Sequence, residues 1–166
     1  MSFLVRRAMR GDAAAFVKLI EQEKTNMYKI TCCYLKNEED KTDAIQETVL
    51  TCYEKLHKLK NPAYFKTWMT RILINKCQDI LRDNKRRNSQ LDIDEIQVAA
   101  VDHSVSEFMD VLNGIEEKYR IVLVLYYVEN LKIKEIAQLL EMNENTVSTR
   151  LSRGRKVLAN ALAADI

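Results

Sequence analysis

Apolar residues recur every three to four positions along almost the whole chain, which is the period of amphipathic helices. Ala15, Phe16, Leu19, Ile20, Met27, Ile30 and Tyr34 fall on one face of a helix predicted over residues 12–35, with Asp12 as its N-cap. The polar run Lys36 to Asp40 interrupts the pattern, and a second helix follows to about Leu59. Asn61-Pro62 punctuates the chain, because proline is accepted at the start of a helix and not inside one. A third helix is predicted from about Tyr64 to Arg87, with Phe65, Trp68, Met69, Ile72, Leu73, Cys77, Ile80 and Leu81 inward and the basic run Lys85-Arg86-Arg87 at its end.

Residues 88–104 lose this periodicity and read as a linker. Helical spacing resumes with a short helix from Val105 to Asn113, then Ile115 to Glu129, whose apolar stretch Ile121 to Val128 must be mostly buried. The last segment, Leu131 to Leu158, carries two shorter patterns. Ile133, Ile136, Ala137, Leu139 and Leu140 make one face of a first helix; Met142 and Asn143 form a turn, and Asn143 or Glu144 caps a second helix with Val147, Leu151 and Val157/Leu158 inward. The opposite face of that second helix presents Asn145, Ser148, Thr149, Ser152, Arg153 and Lys156, flanked by Arg150 and Arg155. Such a helix fits the major groove of duplex DNA, where its N-terminal half reads base edges and its cations hold phosphates. The fold class expected is all-α: two small helical bundles on a flexible linker, residues 1–87 and 105–166, the second containing a helix-turn-helix.

Composition sharpens this picture. Only three Gly and one Pro stand among 166 residues, and no alternating β-type run is present. The formal net charge of +2 hides a segregation. Residues 1–87 hold 18 Lys and Arg against 11 Asp and Glu, residues 88–106 hold four acidic residues and no basic one, and residues 107–166 hold eight basic against nine acidic. Within the last part, Glu144 to Lys156 carries four basic residues and one acidic. Basic surfaces on either side of an acidic strap suit a polyanion contacted in two places.

Catalytic chemistry has no foothold in the sequence. His57 and His103 are isolated, the glycines Gly11, Gly114 and Gly154 form no phosphate loop, and the cysteines Cys32, Cys33, Cys52 and Cys77 lack metal-ligand spacing. They read as reduced core thiols. The expectation is therefore a non-enzyme with no cofactor and no metal. No signal-peptide-like segment or apolar run of about 20 residues appears, so a cytoplasmic protein without membrane insertion is expected.

Four short motifs in order then acquire a joint meaning. Gly11-Asp12 with Ala15-Phe16 and Leu19 is followed by Asp43-Ala44-Ile45-Gln46-Glu47-Thr48. Phe65-Lys66-Thr67-Trp68 continues into Ile72, Asn75, Asp79 and Arg82, and Thr146-Val147, Arg150-Leu151 and Arg153-Gly154-Arg155 close the series. Together they resemble the compact bacterial sigma factors of the extracytoplasmic-function group, which have a sigma-2 and a sigma-4 domain. The resemblance covers nearly the whole chain and implies a subunit that directs core RNA polymerase to promoters. It implies that residues 1–87 bind polymerase and open the −10 element, while residues 105–166 read the −35 element.

The site residues follow the motifs. Asp43, Gln46 and Glu47 share one helical patch suited to a basic coiled coil, which in the family is the β′ clamp helices; the β flap is the other polymerase contact implied. For −10 capture the resemblance points to Lys58, Lys60, Asn61, Tyr64 and Lys66, with Asn75, Lys76, Asp79 and Arg82 on the helix that would face the duplex. For −35 recognition it points to Ser148, Thr149, Ser152 and Arg153 as base readers, with Asn145, Thr146, Arg150 and Lys156 supporting them. Trp68 is expected in the core, not stacked on a base. Two positions depart from the family pattern: Ser148, often Lys or Arg, and Gly154, often Ala, which weakens a helix interior by up to about 1 kcal/mol. An anti-sigma factor is a further partner implied by the resemblance. The competing reading is a free-standing helix-turn-helix regulator that binds an operator as a dimer.

Overall fold

The computed structural model describes residues 1–88 and 110–164. Contacts divide the chain into two units, Met1–Gln97 and Val98–Ile166. Among the described residues all regular structure is helical. Asn88 ends a helix, and the rest of the acidic linker expected at 88–104 lies outside the described residues, as does most of the helix expected from Val105.

The first unit consists of α1 (Ser2–Met9), α2 (Ala13–Tyr34), α3 (Glu38–Lys55), two 3₁₀ turns (Leu56–Lys58 and Pro62–Tyr64) and α4 (Phe65–Asn88). Gly11, at φ +91°, supplies the left-handed residue that reverses the chain after α1. Asp12 then caps α2 by accepting the Ala15 N–H at 3.0 Å, while the Arg7 guanidinium grips the same carboxylate from α1, Nε to Oδ2 at 2.8 Å. These hydrogen bonds, the backbone one foremost, hold the Asp12 carboxyl below its ordinary range. Asn37 caps α3 through the Glu39 N–H at 2.7 Å, and Glu38, Glu39 and Asp40 complement the dipole of its first turn. Asn61 accepts the Ala63 N–H at 3.0 Å, with Pro62 at the first position of the second 3₁₀ turn, where a missing N–H costs nothing.

Helices α2, α3 and α4 pack on one another, and α1 packs on α2 and on both 3₁₀ turns. Their core is built from Phe16, Leu19, Met27, Ile30, Ala44, Cys52, Leu56, Phe65, Met69, Leu73, Ile74 and Cys77, all buried. A polar tie closes one end: the Tyr28 hydroxyl donates to the Glu38 carboxylate at 3.0 Å, and Lys41 Nζ reaches Glu38 at 2.7 Å. Burial holds that hydroxyl well above the usual tyrosine range.

Three expectations for this unit need correction. The helix α1 lies before the first one expected. The second helix ends at Lys55, short of Leu59, and passes into a 3₁₀ turn. On α4, Leu81 is 38% exposed, and Trp68, Ile72 and Ile80 are only half-buried, whereas Thr70 and Ile74 are buried. Helix α4 touches both α2 and α3, so its buried sector is wider than one stripe as far as Cys77; beyond that residue no side chain up to Arg87 is buried.

The second unit has a helical stretch over 110–113, then α5 (Glu117–Tyr127), α6 (Ile133–Leu139) and α7 (Glu144–Ala164). All five residues from Ile121 to Leu125 are buried, but Tyr127 is 51% exposed and Tyr126 half-buried, so the apolar run is less enclosed than expected. Glu141, at φ +53°, turns the chain between α6 and α7, and the Met142 N–H closes on the Ala137 carbonyl at 2.8 Å. Asn143 starts α7 by accepting the Asn145 N–H at 2.8 Å. Val147 and Leu151 are buried as expected; Val157 is 38% exposed. Gly154 is the third inward position. A Cβ there would lie 3.2 Å from Leu123 Cγ and Cδ1 and 3.3 Å from Tyr119 Cβ, so glycine lets α7 lie close against α5.

Candidate nucleic-acid interface and docking patch

Because Val147, Leu151 and Gly154 point inward, the opposite side of α7 is turned to solvent. Asn145, Thr146, Ser148, Thr149, Ser152, Arg153 and Lys156 are all exposed, so the residues expected to read the −35 element share one accessible stripe. Arg150 is the exception: it is half-buried, with Nη1 3.3 Å from Met142 Sδ. Arg155 is exposed yet held, its Nε donating to the Tyr127 hydroxyl at 2.7 Å and its guanidinium 5.1 Å and 5.6 Å from the Tyr126 and Tyr127 ring centres. Arg153 pairs with no group among the described residues. At the start of α7 a groove of about 400 Å³ runs along Asn145, Thr146, Thr149, Arg150 and Arg153, and its far wall is Lys118 and Tyr119 of α5. Sequence reasoning missed those two residues, since nothing local marks the start of α5 as adjacent to α7.

In the first unit, Lys58, Lys60, Asn61 and Tyr64 sit exposed on the turns between α3 and α4, where Tyr64 is 59% exposed. The Asn61 side-chain oxygen is already occupied as a cap. Lys66 is half-buried, with Nζ 3.9 Å from the buried Glu23 carboxylate, and so sits apart from the exposed residues of the turns. Asn75, Asp79 and Arg82 follow one exposed stripe of α4, in which Asp79 and Arg82 approach to 3.3 Å. Trp68 lies half-buried with its ring 6.1 Å from that of Phe65.

Asp43, Gln46 and Glu47 form an exposed patch on α3, opposite the buried Ala44, Thr48 and Cys52. Glu47 also makes a contact that no sequence pattern announces: its carboxylate lies 3.1 Å from Lys76 Nζ on α4. One docking residue and one DNA residue of the expected sets are thus each other's partners. Cys33, Cys52 and Cys77 are buried and Cys32 half-buried, all as free thiols; burial pushes Cys52 and Cys77 up to about 12. No helix among the described residues is long and apolar enough to cross a membrane.

The chain is similar to known proteins. Residues 19–87 match the model for Sigma-70 region 2, and residues 106–158 that for Sigma-70, region 4. The RNA polymerase sigma factor SigV of Bacillus subtilis is 30% identical, over 87% of this chain and 89% of its own length. The ECF RNA polymerase sigma factor SigW of the same organism is 27% identical, over 95% and 94%. Among solved structures, CnrH in complex with the cytosolic domain of CnrY has the same fold, with a TM-score of 0.69, 24% identity and 99% and 98% coverage. So does the sigma factor RpoE in complex with the anti-sigma factor NepR from Bartonella quintana, with a TM-score of 0.74, 17% identity and 91% and 98% coverage. The chain belongs to the sigma-70 family, as an RNA polymerase sigma factor of the extracytoplasmic-function type.

Proposed function

We propose a division of labour in which residues 1–87 dock on core RNA polymerase and capture the −10 element, and residues 105–166 read the −35 element. In the first part Asp43, Gln46 and Glu47 meet a basic helical surface, the β′ clamp helices by resemblance. The exposed Lys58, Lys60, Asn61 and Tyr64 offer cations, an amide and a stacking ring to unpaired bases, and Asn75 and Arg82 lie toward the duplex. Lys76 and Asp79 belong to the same surface but are engaged within the protein, and Lys66, beside the buried Glu23, lies apart from the exposed turn residues. In the second part Ser148, Thr149, Ser152 and Arg153 of α7 read base edges, with the β flap as the second polymerase contact. The chain acts in the cytoplasm as an initiation factor. It contributes specificity and leaves catalysis to the polymerase. An anti-sigma factor is the expected regulator, in keeping with the complex of RpoE with the anti-sigma factor NepR, whose sigma factor has a similar fold.

The observation that carries this reading is the exposed stripe of α7, with Arg153 at its centre and without a partner among the described residues, behind a structured turn. A guanidinium in that position makes two parallel hydrogen bonds to guanine, worth about 1–3 kcal/mol of discrimination. Arg153→Ala is therefore expected to lower promoter-specific binding by the reconstituted holoenzyme about five- to hundredfold while polymerase binding, followed by gel filtration, stays unchanged. Loss of both together would refute the division of labour. Specific DNA binding by the free chain as a dimer would favour the stand-alone regulator.

A further inference from the structure

The groove at the start of α7 has two walls, and only one belongs to the helix-turn-helix. Thr146, Thr149, Arg150 and Arg153 form the first; Lys118 and Tyr119, at the start of α5, form the second. Two helices thus begin beside one space of about 400 Å³, each with a positive dipole end, and three cations border it. The charge there is incompletely met. Among the described residues Arg150 has only the Met142 thioether within hydrogen-bond distance, Arg153 has no partner, and Lys118 pairs with the exposed Glu116 of its own helix start. By contrast Arg155, one turn further along α7, is secured by two tyrosines and lines none of this space.

We infer that this groove seats a backbone phosphate of the DNA duplex, with Lys118 closing on it from the side opposite Arg150, and Arg153 left at the rim to reach the bases. The inference rests on α7 reading bases, and it extends the contact to an element outside the helix-turn-helix. The ligand fits by chemistry: a phosphodiester carries one negative charge and accepts hydrogen bonds on two free oxygens, and the groove offers cations and hydroxyls without a converging carboxylate. Lys118 exchanges the Glu116 carboxylate for the phosphate, a change open to a side chain 47% exposed on a flexible stem. Tyr119 holds the wall in place, since its Cβ also abuts Gly154. A phosphate seated there fixes the register of α7 against the bases without itself reading sequence.

The test uses the full chain reconstituted with core RNA polymerase and a duplex enriched by that holoenzyme from a randomised pool. Lys118→Ala is expected to weaken binding to all enriched duplexes alike and to leave the preferred bases unchanged. Each phosphate neutralised adds about 0.9 to the slope of log affinity against log salt. For a fourfold rise in KCl the wild-type protein should therefore lose affinity about threefold more than Lys118→Ala does. Lys118→Arg should restore affinity and slope; Lys24→Ala, removing an exposed lysine from the first unit, should change neither. Unchanged affinity and slope in Lys118→Ala overturn the inference, and so does an altered base preference, which would make Lys118 a reader of bases. A wild-type holoenzyme that enriches no −35-like sequence refutes the base-reading role of α7 itself, and with it this phosphate seat.

Discussion

Replacing Gln46 and Glu47 together by alanine separates docking from stability. Both side chains are exposed on α3, and the bond between them and the rest of the unit is the 3.1 Å contact from Glu47 to Lys76, whose side chains are 59% and 31% exposed. Partly exposed pairs of this kind contribute about 0.2–1 kcal/mol. Alanine returns a few tenths of a kcal/mol at each helical position, so the net cost to the fold stays below about 1 kcal/mol. Polymerase binding should respond on another scale. One hydrogen bond to a charged group contributes about 1.5–3 kcal/mol, and losing it lowers affinity about ten- to hundredfold. Thermal unfolding followed by circular dichroism should therefore move by only a few degrees, while titration of labelled core polymerase shows the large loss. Lys76→Met gives the control, because it breaks the same pair from the α4 side and should leave polymerase affinity unaltered. A folded double variant that binds polymerase like the wild type would refute the assignment and make the patch a solvated helix face.

The core thiols give a pH prediction. Cys52 and Cys77 stay protonated to about pH 12 in the folded state, while in the unfolded chain they ionise around pH 8.5–9. The unfolded state therefore binds fewer protons between those limits, and stability falls as pH rises through that window, by up to about 4 kcal/mol per thiol. Cys52→Ala should be less stable than the wild type in urea at pH 8 and lose less between pH 9 and 11; a constant gap would contradict the burial argument. Gly154→Val should destabilise by about 1–3 kcal/mol, because its branches enter contacts already at 3.2–3.3 Å. Gly154→Ala sets about 1 kcal/mol of helix propensity against the same contacts and should end near wild type in calorimetry. A valine variant as stable as the wild type would show that α5 and α7 can part freely.

The sequence displayed what depends on local chemistry. Asp12 caps α2, Pro62 opens a helical turn, and the turn before Asn143 divides α6 from α7 because these residue types act within three or four positions of themselves. Helix α1 was illegible for the complementary reason: eight residues are too few for the i, i+3 pair Val5 and Ala8 to stand out as a pattern, and packing on α2 and the 3₁₀ turns stabilises a helix too short to stand alone. The far ends of α4 and α7 misled in the same way, since Leu81 and Val157 keep the helical spacing after the packing partner has gone. Glu47 and Lys76 are 29 positions apart, and nothing in either segment marks the other as its partner.

The arginines of α7 show what a helical wheel leaves open at a recognition surface. Arg150, Arg153 and Arg155 lie within six residues and have the same chemistry, yet their surroundings differ. Arg150 is half-buried, with its guanidinium Nη1 3.3 Å from the Met142 thioether, and it lines the groove, so it is better placed to hold a phosphate than to reach a base edge. Arg155 is oriented by Tyr126 and Tyr127 of α5, and an incoming ligand must compete with a 2.7 Å hydrogen bond and two ring faces. Arg153 alone keeps its five donors without a partner among the described residues, on the exposed stripe between Thr149 and Lys156. Specificity needs a group whose hydrogen bonds are satisfied only by the right base, because a donor already satisfied at home gains little from choosing. Under the proposed division of labour Arg153 is therefore the residue expected to discriminate, with Arg150 and Lys118 expected to add affinity that is blind to sequence.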